Sequence, residues 1–321
     1  MAVGSAPDKA RCPVCLGQKK RFIETYKDYT LYLCEACDLV FADPMMTDKA
    51  FYSTDADYAL RDAVVVDSLE WDFRWDINEF LKHHPIGKGN LLDIGCGTGF
   101  FVKKASDLGF NAYGIDFSER AIERGREHFK LDTLYATSCE GLRRKFPDMK
   151  FHVVTMFHIL EHLENPNEVM SQIHELLHRD SVVVILLPFR DRWPDILGES
   201  VDYPPHHLTR WSLKAVEHFL DRNGFYIRRC KVENFPLQDM RGLVYKYALK
   251  FAPFLTMRGK GGEAAKQEAS PEKEQELLKR RRVKMALVMA LSFPLWLLLK
   301  LIGARGPLFY IEASPKPHPN A

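Results

Sequence analysis

Three glycines at every second position, Gly95, Gly97 and Gly99, follow an apolar run that ends on an acid in "LLDIGCGTGF", residues 91–100. Glycine removes the side chain between the main chain and a ligand, and a helix starting just beyond offers free N–H groups. In a doubly wound sheet such a turn lies at the carboxyl end of a strand, where ligands bind. Asp93 precedes the turn, and Asp116 stands 17 residues after Gly99 in "YGIDFSERAI". A carboxylate at the end of the next strand can accept both hydroxyls of a ribose. Two cofactor classes use this place. A dinucleotide asks for Gly-x-Gly-x-x-Gly, and here Phe100 stands where the third glycine would be.

The stretch Asp93-Ile-Gly-Cys-Gly-Thr-Gly99, with Asp116 after it, resembles the first motif of class I S-adenosylmethionine-dependent methyltransferases. Their cofactor carries an ammonium and a carboxylate instead of a diphosphate, so an acid beside the glycine loop makes chemical sense. The resemblance spans residues 90–233 and the last strand. It implies that Asp93, Gly95, Cys96, Gly97 and Gly99 line the methionine end and that Asp116 takes the ribose. It further implies that Phe117 lies by the adenine with Ser138 and Cys139 of "ATSCEG", and that Phe157 and His158 of "MFHILEHLENP" lie near the methionine part. A nucleotide-binding fold that holds the cofactor without transferring a methyl group is the alternative.

Four of the seven cysteines form two Cys-x-x-Cys pairs, Cys12/Cys15 and Cys34/Cys37, with 18 residues between them. Two tight turns can present four thiolates to one tetrahedral zinc, and this spacing suits a zinc ribbon. A redox dithiol needs only one pair. "RFIETYKDYTLYLC" between them alternates as a β-hairpin does. The expected zinc is structural, because so small a unit lacks a sufficient core. By resemblance, "LCEACDLVFADP" looks like the ribbon attached to bacterial methyltransferases of surface-polysaccharide and natural-product pathways.

A hydroxyl acceptor profits from a general base, and histidine suits neutral pH. The candidates are His206 and His207 in "YPPHHLTRW", on the loop after the fifth strand. "RDRW", residues 190–193, offers a contact for an anionic acceptor. The acceptor atom, oxygen, nitrogen or carbon, is left open.

These residues need elements to hold them. Strands are predicted at 90–95, 111–116, 133–137, 151–157, 181–187 and 225–233, with helices at 99–108, 118–129, 166–178 and 212–222. Strands separated by helices imply a parallel sheet covered on both faces. The fold class is therefore α/β: a Rossmann-like, doubly wound, seven-stranded sheet. The predicted division is a ribbon at 1–43, a connector at 44–88 with a helix at 66–82, a sheet domain at 89–233 and 308–315, and a helical insertion at 234–307 before the last strand, "LFYIEAS".

In the insertion, 240–258 is a basic amphipathic pattern, and "LLKRRRVK" runs into fifteen uncharged residues, 285–299. Fifteen falls short of the roughly twenty needed to span a bilayer. The expectation is two elements lying on an anionic membrane surface, over 240–304, with a lipid-borne acceptor such as a polyprenyl-linked sugar, a glycan or a quinone-like lipid. A soluble small-molecule acceptor and a helical cap or dimer interface are the alternatives. The net charge of +2 over 321 residues exerts no global pull toward nucleic acid, and no nucleic-acid partner is expected. No apolar leader opens the sequence, so the expected place is the cytoplasm, at the inner face of the membrane.

Overall fold

The computed structural model describes residues 10–47, 75–192, 202–237, 240, 244, 290 and 292–317. The chain divides into two compact units, one of residues 1–191, 198–232 and 308–321, the other of 192–197 and 233–307.

The first unit is built on a seven-stranded sheet. Its strands are β4 (Asn90–Ile94), β5 (Asn111–Asp116), β6 (Leu134–Ala136), β7 (Phe151–Phe157), β8 (Leu177–Pro188), β10 (Phe225–Asn234) and β11 (Arg305–Pro315), in the order β10-β11-β8-β7-β4-β5-β6. β4 pairs in parallel with β5 and β7, and β7 with β8, whereas β11 runs antiparallel to β8. This is a Rossmann-like, doubly wound arrangement with one antiparallel strand next to β8.

Alternation along the central strands divides the core between the two faces. Leu91, Val182, Val184 and Leu186 meet Phe80 of α1 (Trp75–His83), Phe101 and Val102 of α2 (Phe100–Asp107) and Ile122 of α3 (Glu119–Phe129). Leu92, Val183, Ile185 and Leu187 meet Leu142 of α4 (Cys139–Lys145), Met170 and Ile173 of α5 (Pro166–Leu176) and Phe219 of α6 (Leu213–Arg222). Each fully buried side chain of this kind contributes about 1.5–3 kcal/mol. Ser118, Ser138 and Ser212 cap α3, α4 and α6, each accepting from a backbone N–H three residues on.

The structure departs from the periodicity in two places. α5 stops at Leu176, and β8 begins at once with "LHRD", because Leu177 turns to extended geometry and pairs with Phe151. Polar residues at the strand start hid this. α4 was not foreseen, since Gly141 sits inside its short span. Of the helix expected at 66–82, the part before Trp75 lies outside the described residues.

The cysteine-bearing segment forms a small antiparallel sheet of β1 (Lys20–Tyr26), β2 (Tyr29–Cys34) and β3 (Val40–Asp43), completed by β9 (Thr209–Arg210) from far along the chain. Lys27 takes the hairpin turn at φ 52°. Cys12, Val14, Leu39 and Phe41 belong to the same buried cluster as Trp211, Ala215 and Phe219, so the ribbon shares its core with the sheet. Asn167 ties the two polar frames: its Nδ2 donates to the carbonyls of Pro13 (2.7 Å) and Val14 (3.0 Å). Its Oδ1 accepts from Asn223 at 2.9 Å.

In the second unit, residues 292–301 are helical and Gly303 ends the turn at φ +78°. Trp296 donates to the Phe235 carbonyl at 2.7 Å, and Phe235, Met240 and Ala304 form a small core with Val244, Trp296 and Leu299. The other side of this helix carries Phe293, Leu298, Leu301 and Ile302 in the open. No helix among the described residues is long and apolar enough to cross a membrane. Most of the predicted 240–258 element and the polybasic run before residue 285 lie outside the described residues.

Replacing Asn167 by Ala leaves two carbonyls without their donor. Urea denaturation should show a loss of about 1–3 kcal/mol, and a change below about 0.5 kcal/mol would show that the ribbon is not held through this side chain.

Candidate functional site

β4 is buried between two neighbours and delivers Asp93 to its carboxyl end. There Asp93 is almost fully enclosed, and its Oδ1 accepts from Thr155 Oγ1 on β7 at 2.6 Å. The chain then turns on glycine. The N–H groups of Gly95 and Cys96 both donate to the Ile115 carbonyl, at 2.8 and 3.0 Å, which fixes the turn to the end of β5. Gly95 has φ +73°, and a Cβ there would lie 2.0 Å from Ile159 Cδ1. Gly97 has φ +53°, and a Cβ there would meet nothing within 4 Å. One glycine thus makes room for the protein's own packing, and the other presents bare main chain to open space.

Asp116 joins the turn to the next loop. Its Oδ2 accepts from Gly97 N at 2.8 Å and its Oδ1 from Ser118 N at 2.9 Å. Phe117, between them, is 83% exposed. An aromatic ring held in the open beside a fixed carboxylate is a stacking surface. Thr137 N donates to the Asp116 carbonyl at 3.0 Å, which brings Ser138 and Cys139 to the same end of the sheet. The Ser138 hydroxyl accepts from Gly141 N at 3.2 Å. The Cys139 thiol is turned into the core, and burial raises it to about 12. Burial, aided by the Asp93 and Asp116 charges, also keeps the Cys96 thiol protonated.

At the end of β7, Phe157 packs edge-on against Phe101, with centroids 4.8 Å apart. His158 adopts φ +58° and starts a turn through the single 3-10 turn Leu160–His162. This turn encloses Glu161, which is 1% exposed. Around its Oε1 stand His158 Nδ1 at 3.5 Å, His162 Nε2 at 4.0 Å and His207 Nε2 at 4.0 Å. The loop bearing His206 and His207 is fastened here by its backbone, Leu208 N donating to the Glu161 carbonyl at 2.9 Å. Burial brings His162 down to about 4, so its ring is neutral near pH 7. Glu161 and Asp202 were not singled out as site residues from the sequence. The signal available was His-x-x-Glu-His after an apolar strand. Its partner His207 is 45 positions beyond His162 and could not be attached to it from the sequence.

Arg190, read from the sequence as a contact for an anionic acceptor, is engaged inside the fold. Its Nη2 reaches Asp38 Oδ2 at 2.6 Å, and its Nε reaches Asp191 Oδ1 at 2.8 Å. Trp193 lies outside the described residues.

The four ribbon cysteines converge. Cys12 and Cys37 Sγ are 3.4 Å apart, as are those of Cys15 and Cys34, and all four lie within 4.8 Å of one another. Sulfurs each about 2.3 Å from one tetrahedral ion would be separated by distances in this range. Burial lifts the Cys15 thiol to about 11, and hydrogen bonding to Cys12 with burial pushes Cys37 up. A shared cation would reverse both effects.

Residues 74–229 match the family model described as a methyltransferase domain. Over 185 residues the chain is 24% identical to the mitochondrial ubiquinone biosynthesis O-methyltransferase of Schizosaccharomyces pombe, covering 56% of this chain and 66% of that protein. Over 148 residues it is 23% identical to a probable S-adenosylmethionine-dependent methyltransferase of Mycolicibacterium smegmatis, covering 46% and 55%. The chain thus spans less than two thirds of the length of these relatives. Among solved structures, a chain from the complex between the Haloferax volcanii Trm112 methyltransferase activator and the putative methyltransferase matches with a TM-score of 0.50 at 14% identity. That match covers 85% of this chain and 99% of that one, and it shows the fold.

The two glycines of the turn should respond differently to Ala. Gly97→Ala meets no atom and should cost about 1–2 kcal/mol for its left-handed backbone. Gly95→Ala adds a collision with Ile159 worth about 1–3 kcal/mol more. Thermal denaturation of the pair checks the order, and equal losses would contradict the packing described.

Proposed function

The chain belongs to the class I S-adenosylmethionine-dependent methyltransferases, and we propose that it moves a methyl group to the oxygen of a lipid-borne acceptor at the cytoplasmic face of a membrane. The single observation that carries the cofactor assignment is the Asp116 carboxylate, fixed to the bare Gly97 backbone on one side with the open Phe117 ring next to it. The bound sulfonium supplies an activated methyl carbon. An acceptor oxygen would take that methyl group, with the carbon–sulfur electron pair left on sulfur. Asp116 would accept the ribose hydroxyls, Phe117 would stack on the adenine, and the Gly95–Gly99 backbone with Asp93 and Cys96 would surround the methionine end. Ser138 and Cys139 border the adenine through their backbone, and Phe157 and His158 wall the reacting end. Holding the three reacting atoms in line supplies much of the rate. The acceptor's proton leaves to a base on the loop that carries His206.

A lipid-borne acceptor is supported by the open apolar side of the helix at 292–301 and by the basic run that precedes it in sequence. O-methylation is favoured by the relatives named as O-methyltransferases. The four ribbon cysteines are assigned a structural zinc, supported by their mutual distances.

Asp116→Ala should weaken S-adenosylhomocysteine binding in calorimetry at least tenfold, about 1.4 kcal/mol. Unchanged affinity would remove the cofactor assignment. Wild-type protein with labelled cofactor should label a cell lipid extract; binding without transfer to lipid or aqueous extract would mark a non-catalytic binding protein.

Flotation with vesicles rich in anionic lipid tests the membrane assignment. Wild type should float, and Leu298→Glu with Leu301→Glu should lower the bound fraction several-fold. Equal behaviour of the two would count against it.

A further inference from the structure

The histidine cluster beside the cofactor loop contains a carboxylate whose surroundings are unusual. Glu161 is nine-tenths buried by a wide margin, yet neither of its oxygens receives a hydrogen bond. A buried carboxylate without donors is costly. Three imidazole nitrogens face it, at 3.5, 4.0 and 4.0 Å. The two longer separations exceed the 2.7–3.2 Å of an N–H···O bond. They do fit two ligands that share an ion, since atoms about 2.1 Å from one centre lie at most about 4.2 Å apart.

The far sides of the rings support the same reading. His162 Nδ1 lies 2.5 Å from the His206 carbonyl, which can only accept, so this nitrogen carries the hydrogen. The His162 Nε2, facing Glu161, is then a lone pair. His207 also turns a ring nitrogen toward Glu161, Nε2 at 4.0 Å, with its Nδ1 3.5 Å from Asp202 Oδ1. A carbonyl behind one ring and a carboxylate behind the other is the arrangement that orients imidazoles as metal ligands. The His162 lone pair and a carboxylate oxygen aimed at one volume repel each other unless a cation lies between them.

We propose that Glu161, His162 and His207 form a binding site for a divalent transition-metal ion, separate from the four cysteines, with half-exposed His158 at its open side. The ligand atoms of these three residues lie within 4.8 Å of one another, so side-chain movements of under about 1 Å close the set. One carboxylate and two imidazoles suit zinc, ferrous iron or manganese, and leave coordination positions open. Ile159 of the same turn packs against Gly95, so the site borders the cofactor loop. Resting on the methyl-transfer reading for its use, the ion would bind the acceptor hydroxyl and make it easier to deprotonate. His207 is then a ligand and not the base.

The test uses full-length protein with its ribbon metal in place. After exposure to Co2+ and dialysis, total metal by mass spectrometry should be two ions per chain in wild type, and one in Glu161→Gln and in His207→Ala. The lost ion should lack thiolate charge-transfer absorption, which the cysteine site alone would show. Calorimetric titration of Co2+ into wild type should show a site weakened at least tenfold in either variant, and far-UV circular dichroism checks that each is folded. If both variants misfold, the wild-type count decides alone. One ion per chain in wild type, or two retained in folded variants, overturns the proposal. S-adenosylhomocysteine binding measured on the same wild-type sample reads the cofactor site separately, so loss of one reading leaves the other standing.

Discussion

The Asp116 carboxylate is the joint on which the site depends. It ties the end of β5 to the glycine turn after β4, because one oxygen holds Gly97 N and the other holds Ser118 N. The bond to Gly97 is possible because β4 and β5 are adjacent parallel strands in register, with Asp93 opposite Gly114. The same adjacency lets the Ile115 carbonyl receive both N–H groups of the turn. A sheet buried on both faces is therefore a condition for the cofactor loop: without it, neither carboxylate stands at a fixed height above the backbone. Phe117 stands exposed between Asp116 and Ser118, whose N–H the same carboxylate holds.

Much of this was legible in the sequence because it is local. Alternation and apolar runs gave the strands. The run Asp93 to Gly99 carries its turn chemistry in the residue types themselves. Cys12, Cys15, Cys34 and Cys37 announce their convergence by spacing. Contacts made by distant segments were not legible. β9 is two residues long and exists because β3 offers an edge to Thr209 and Arg210. Arg190 reads as a free cation in a loop, yet it faces Asp38 of a ribbon whose packing against the sheet leaves no mark in local periodicity. Glu161 reads as an ordinary loop acid. Its enclosure comes from the segment 202–208 folding back over it, at a separation no helix or strand pattern encodes.

The ribbon and the histidine loop are parts of one arrangement. β9 adds to the ribbon sheet, and the residue just before it, Leu208, donates to the Glu161 carbonyl. Trp211, just after it, is fully buried, and its indole N–H donates to Thr209 Oγ1 at 2.8 Å. The segment 208–211 is thus fixed by the ribbon on one side and by the turn after β7 on the other. A metal in the ribbon would influence chemistry at the site through this segment, by holding His207 in place, without touching any reacting atom.

The insertion follows a different constraint. It leaves the sheet at the end of β10 and returns at the start of β11, and these strands are neighbours at one edge. Connecting adjacent strands by a long segment costs little extra, because closure entropy grows only logarithmically with length. An insertion of this size therefore costs the sheet little. Its ends must come back to the same edge, so a single crossing of a bilayer is excluded by connectivity. Glu312 on the returning strand pairs with Arg229 of β10 at 3.3 Å, which ties β10 to β11 at that edge by charge.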